Sequence, residues 1–192
     1  MDAALQNFWV FGYGSLIWNP NFPFSISEIA RLHGWARSFC MRSIHHRGTV
    51  ENPGLVLALD EQVEAHCDGV AFLVKPDHHQ STLALLRERE LVASAYLEKW
   101  LPITLQSGAQ VQALSYVIDR DHAQYCGGLS LAEQVKILAN AKGQRGHNRD
   151  YLVTTALYLR DLGIEDPDLT WLWKKVDPAF FDNRLGIGAS AV

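Results

Sequence analysis

The chain has 192 residues, 48% of them hydrophobic and 20% charged, with a formal net charge of -4. This length and composition suit one globular domain with a sizeable core. No block of Lys or Arg supplies the basic face that a nucleic-acid binder needs, so the expected partner is a small molecule and not nucleic acid.

The first seven residues lack the basic and apolar regions of a signal peptide. No apolar run approaches the ~20 residues of a membrane span, so no membrane insertion is expected. Cys40, Cys67 and Cys126 lie far apart without a CxxC pair. They read as reduced thiols, and the expected location is cytoplasmic.

From Phe8 to Tyr13 the run is aromatic and β-rich, which predicts a buried strand opening at Gly14-Ser15 into a tight loop. Residues 33–42 predict a second strand. Residues 45–53 are polar and rich in turn formers. Residues 55–59 and 69–75 predict two further strands separated by a charged loop. Pro76-Asp77 starts a helix with Leu83 and Leu86 on one face. Two strands follow, 96–106 and 110–118, joined by a hairpin turn at Gln106-Ser107-Gly108. Ser130 with Glu133 forms a capping box that opens a helix to about residue 141. Gly143 and Gly146 interrupt the chain. Helices follow over 148–162 and about 166–176, the last stopped by Pro178, and the Gly/Ala/Ser-rich stretch 182–192 reads as a flexible tail. Strands early and helices late predict an α+β fold, a single domain over 1–181 with a curled mixed or antiparallel sheet and flanking helices.

The glycine loop Gly12-Tyr13-Gly14-Ser15-Leu16 is neither a dinucleotide fingerprint, since position 17 is Ile17, nor a GxSxG nucleophile elbow. It is either a plain strand-end turn or a turn whose backbone N–H groups converge on a carboxylate. His45-His46 and His78-His79 lack metal-ligand spacing, so no metal is expected. Arg87-Glu88-Arg89-Glu90 is either a solvated helix face or the carrier of a functional carboxylate. Glu90 lies one turn beyond Leu86. There the negative end of the helix and a dry setting would both raise its pKa and make it a stronger base.

Taken together, these residues resemble a known family. Val10-Phe11-Gly12-Tyr13-Gly14-Ser15-Leu16-Ile17-Trp18 with Pro20 is similar to the N-terminal signature of ChaC-type γ-glutamylcyclotransferases. His46-Arg47-Gly48-Thr49, Pro53-Gly54 and Gly69-Val70-Ala71 resemble the next blocks in order. Arg89-Glu90 and Tyr96 stand where the family's catalytic RE and downstream Tyr belong. Tyr125 with Gly127, then Gly146-x-Asn148 with Tyr151-Leu152, complete a pattern over roughly 8 to 176, and Tyr96-Leu97 with Trp100 fits the bacterial branch. Two departures stand out: Ser94-Ala95 replaces Gly-Gly, and Leu55 replaces an Arg.

The resemblance implies a small γ-glutamylcyclotransferase-like barrel that converts glutathione to 5-oxoproline and Cys-Gly without cofactor or metal. It implies Glu90 as the acid–base residue and substrate contacts from Val10, Phe11, Gly12, Tyr13, Gly14, Ser15, Leu16, Arg47, Tyr96 and Tyr125. Tyr96 and Tyr125 are either hydroxyl donors to the substrate or core aromatics with a polar tip. Two alternatives remain: turnover of another γ-glutamyl compound, or a non-catalytic regulator of cation transport that binds such a ligand.

Overall fold

A computed structural model describes residues 8–91 and 94–185, the last three by backbone only. By contact the chain divides into two compact units, Met1–Met41 with Leu57–Gly127, and Arg42–Val56 with Gly128–Val192. Among the described residues no helix is long and apolar enough to cross a membrane.

The first unit is built on a closed five-stranded barrel. Its strands are β1 (Phe8–Gly12), β2 (Ile26–Ser43), β3 (Gly54–Val74), β4 (Tyr96–Leu105) and β5 (Gln110–Ile118), in the order β1-β3-β2-β4-β5. β1 runs antiparallel to β3, with Phe8 opposite Val74 and Gly12 opposite Val70, and parallel to β5, with Val10 opposite Leu114. The sheet is therefore mixed, as the sequence suggests. Trp9, Phe11, Tyr13, Leu32, Trp35, Leu59, Ile103 and Val117 fill a shared core. Alternate residues of β1 supply Trp9 and Phe11 to it, as the period of two in a strand requires.

Two expectations need correction here. Residues 55–59 and 69–75 belong to one strand of 21 residues, β3, with no charged loop between them. The intervening DEQVEAHCD stretch carries no Gly or Pro to break extended backbone. Asp68 within it accepts from Arg31 of β2 at 2.7 Å through both carboxylate oxygens, a pairing that extended strands can make and a loop need not. β2 likewise begins at Ile26, earlier than the expected residue 33. The hairpin between β4 and β5 matches the sequence reading, with Gly108 at φ 90°.

A one-turn helix, α1 (Ser15–Trp18), follows β1, where no helix was expected. Pro76–His78 forms a 3-10 turn that leads into α2 (His79–Glu90).

The second unit packs α3 (Leu131–Asn140), α4 (Asn148–Asp161), α5 (Pro167–Val176) and α6 (Pro178–Leu185) on one another. Leu138, Leu152, Leu159 and Leu172 are fully buried. Ser130 and Glu133 make the expected capping box at the start of α3. Gly143 and Gly146 do more than interrupt the chain, since Lys142–Gly143 (β6) and Gly146–His147 (β7) pair as a short hairpin. Pro178 stands two residues past the end of α5, where the sequence reading puts the stop. It occupies the first turn of α6, where its missing N–H has no intrahelical partner to lose. Residues 182–185 of the expected tail are thus helical, and 186–192 lie outside the described residues.

Candidate active site

The glycine loop is set by how closely β1 and β3 approach. A Cβ on Gly69 would collide with the carbonyl oxygen of Gly12 and lie 2.8 Å from the Phe11 ring, so only glycine fits there. Past Gly12 the chain bends into α1, where the Ile17 N–H donates to Gly14 O at 3.0 Å. Tyr13 pins the bend from inside: its hydroxyl donates to Tyr116 O at 2.8 Å and its carbonyl accepts from Arg37 Nε at 2.7 Å. Across residues 10–16, every residue except Ser15 is buried. Val10, Phe11 and Leu16 therefore hold the loop through core packing, and Ser15 is its accessible side chain.

Glu90 is the last residue of α2. Leu86 is fully buried, and one turn on, Glu90 follows it on the same face with its side chain 16% exposed, whereas Glu88 is exposed. The neighbouring Arg89, 15% exposed, joins helix and loop. Its Nε lies 3.0 Å from Glu90 Oε1, its Nη2 donates to Ser15 Oγ at 2.9 Å, and its Nη1 donates to Asn19 O at 2.6 Å. The glycine loop and the helix-end carboxylate, 75 positions apart in the chain, thus meet at one guanidinium. After α2 the Ser94 N–H donates to Leu91 O at 3.0 Å, and Ser94 stands in the left-handed region at φ 52°. That is the departure from Gly noted in the sequence, and it places a side chain where glycine is preferred.

Sequence reasoning missed Glu98. This β4 residue accepts two hydrogen bonds from Arg87, at 2.8 and 2.7 Å, and one from the Tyr116 hydroxyl at 3.2 Å. The Arg87 hydrogen bonds hold the Glu98 carboxyl below the usual range, against the opposing effect of burial. Burial first, then the charge of Glu98, pushes the Tyr116 phenol up, and the charge of Glu90 acts in the same sense. Alternation in β4 puts Glu98 on the same side as Tyr96, which was the available sequence signal.

The two motif tyrosines have their protons committed. Tyr96 donates to Leu57 O at 3.0 Å and Tyr125 donates to Asp60 Oδ2 at 3.0 Å. Carbonyl and carboxylate oxygens only accept, so in this arrangement both hydroxyl protons go to groups of the protein itself. Asp60 is itself held by Arg120 Nε at 2.6 Å.

Arg47 belongs to the second unit. Its Nη1 donates to Arg145 O at 2.7 Å and His147 O at 3.1 Å, and its guanidinium lies 5.7 Å from the centre of the Tyr151 ring. Burial lowers its pKa, with the charges of Tyr151 and Asp150 opposing. Leu55 is fully buried in the same unit. Asn148 accepts from Leu55 N at 2.6 Å and donates to Leu55 O at 2.7 Å. Gly54 is required beside them, because a Cβ there would strike the Arg47 carbonyl and lie 2.7 Å from Asn148 Oδ1. The three cysteines are buried, and burial pushes the Cys40 thiol up to about 12. A thiol so raised is a poor nucleophile near neutral pH.

A mixed five-stranded barrel with a glycine turn and a helix-end carboxylate joined by arginine places the protein in the γ-glutamylcyclotransferase-like fold class. The chain belongs to the ChaC-like family, whose model, described as ChaC-like protein, matches residues 8–179. It is 35% identical to the glutathione-specific gamma-glutamylcyclotransferase of Escherichia coli over 91% of this chain and 75% of that protein. It is also 35% identical to glutathione-specific gamma-glutamylcyclotransferase 1 of Danio rerio over 87% of each. Among solved structures, a yeast cyclotransferase specific to glutathione superposes with a TM-score of 0.80 at 25% identity, covering 90% of this chain and 96% of that one.

Proposed function

We propose that this protein is a glutathione-specific γ-glutamylcyclotransferase with Glu90 as its proton-transferring group. The observation that supports this reading best is the Arg89 junction. It sets a carboxylate beside a glycine turn, in a chain whose relatives are named for this reaction.

The reaction asks little of a protein beyond placement and proton transfer. Glu90 takes a proton from the substrate's α-ammonium. The freed amine attacks the γ-carbonyl carbon, forming the ring C–N bond and a tetrahedral oxyanion. As that intermediate collapses the ring nitrogen gives up its second proton, the bond to the cysteinyl nitrogen breaks, and the two protons lost by the α-ammonium are delivered through Glu90 to the departing amine, so that Cys-Gly leaves as an ammonium. The nucleophile is tethered to its target, so the substrate supplies much of the proximity that a two-component reaction lacks. One carboxylate serves both proton transfers.

The substrate's α-carboxylate is assigned to the Tyr13-Gly14-Ser15 turn, where Ser15 is the accessible side chain and the Arg89 guanidinium stands against it. Tyr96 and Tyr125, with lone pairs to offer, suit the substrate's ammonium or amide N–H better than its carboxylates. No step calls for a metal, nucleotide or thiol. Incubation of purified protein with glutathione, γ-Glu-Ala and γ-Glu-ε-Lys, followed by assay of 5-oxoproline, tests the reading. Release from glutathione alone, undiminished by EDTA, is expected. Equal release from all three would replace glutathione specificity with a general γ-glutamyl activity.

A further inference from the structure

We propose that Arg89 is a positioning residue that couples the seat of the substrate's α-carboxylate to Glu90, and that its positive charge is what allows two carboxylates to share this corner. The inference rests on the assignment of Glu90 and the glycine turn made above. It goes further by naming the group that makes their proximity workable.

Arg89 and Glu90 are consecutive on α2, and consecutive helical side chains do not ordinarily face each other. Here the Arg89 Nε nevertheless lies 3.0 Å from Glu90 Oε1. The same guanidinium donates to Ser15 Oγ, Asn19 O and, at 3.5 Å, Pro20 O, so its planar fork spans the loop on one edge and the carboxylate on another. A lysine has one donor centre and cannot make that span. The other arginine of the motif, Arg87, is taken by Glu98 through both of its contacting nitrogens. Arg89 is therefore the motif arginine that serves the loop.

The charge argument is separate from the hydrogen bonds. A γ-glutamyl substrate brings a carboxylate to a site whose acid–base group is itself an anion in its proton-accepting form. Two anions at close range in a partly dry corner disfavour each other unless a cation lies near both. With its side chain 15% exposed, Arg89 is screened little by water and sits against both the turn and Glu90.

The test uses paired ligands that differ only in this carboxylate: glutathione with its glutamyl α-carboxamide, and 5-oxoproline with 5-oxoprolinamide. kcat/KM is measured for the first pair and calorimetric Kd for the second, in wild type, Arg89→Met and Arg89→Lys. Wild type should prefer each carboxylate by roughly ten- to a hundred-fold, the scale of one charge-assisted interaction. Arg89→Met should bring both preferences close to one, because the carboxylate ligands lose binding and the carboxamides do not. Arg89→Lys should keep most of the preference in Kd while kcat falls, because charge is retained and the span to Ser15 and Glu90 is lost. A ratio within one preparation does not depend on the folded fraction, so partial instability of a variant leaves it readable. A parallel loss for both ligands in Arg89→Met overturns the proposal, and so does an Arg89→Lys variant with no carboxylate preference. Glu90→Gln is the separate control. Wild-type turnover there would end the acid–base assignment, while the 5-oxoproline ratio would still report on Arg89.

Discussion

Two arginines of the family pattern, Arg89 and Arg47, have opposite surroundings. Arg89 faces a carboxylate and a hydroxyl, with Glu90 and Ser15 as partners. Arg47 faces two main-chain carbonyls of the hairpin region and the ring of Tyr151. The first set of partners includes a carboxylate, and the second does not. The glycines follow the same division of labour. Gly69 lets two strands approach so that the loop beyond Gly12 can form, and Gly54 lets the Arg47 carbonyl and Asn148 close on one another. Motif residues can therefore meet a carboxylate in one region and main-chain carbonyls in close packing in another.

The sharpest way to break this contrast is to remove the ionisable group. Glu90→Gln should lower 5-oxoproline release at least ~10²-fold, the scale of a general acid–base residue, while the melting temperature stays close to wild type. Wild-type turnover from the folded variant would put Glu90 in the same structural category as the Arg47 corner.

The matching change in the second unit is Asn148→Ala. It strips the buried Leu55 N–H and C=O of their partners, and should cost about 2–6 kcal/mol in denaturant unfolding, at roughly 1–3 kcal/mol for each unsatisfied group. Turnover per folded molecule should be unchanged; a large drop in kcat without loss of stability would show that this corner is chemical after all. Leu55→Arg, which restores the family's residue, would bury an unpaired charge at a fully enclosed position and should likewise unfold the protein more readily without improving selectivity for glutathione.

A smaller effect is expected beside the site. Ser94→Gly relieves a left-handed backbone at φ 52° and should stabilise the protein by about 1 kcal/mol in thermal unfolding. A destabilised variant would mean that the serine side chain has a role stronger than the backbone preference.

The smallest expected effect concerns pH. The folded pKa of Glu98 lies below its unfolded value, chiefly through its hydrogen bonds from Arg87. Its contribution to stability is therefore fully present above the ordinary Glu value of about 4.3, and is lost as pH falls through the depressed folded value. Unfolding free energies measured from neutral pH down to acid should lose that part of their slope in Glu98→Gln. An unaltered slope would leave the pair without thermodynamic weight.

Local patterns carried much of the architecture. Aromatic, β-rich composition announced β1, the Ser130–Glu133 spacing announced α3, and the Gly108 turn announced the hairpin of β4 and β5. These features depend on a few neighbouring residues, so sequence alone determines them. The ordered motif blocks also carried the family, because their order and spacing survive where single motifs are ambiguous. The rest depended on residues far apart in the chain. β3 runs on through a charged stretch whose Asp68 meets Arg31 of another strand. Glu98 acquires its partners from α2 and β5. The hydroxyl protons of Tyr96 and Tyr125 are committed to residues 39 and 65 positions away. Above all, the sequence put Arg89 beside Glu90, but only folding brought Ser15 to the same guanidinium across 74 positions. A sequence specifies side-chain chemistry and local period directly; which donor meets which acceptor is decided by barrel closure, and that is where this site was made.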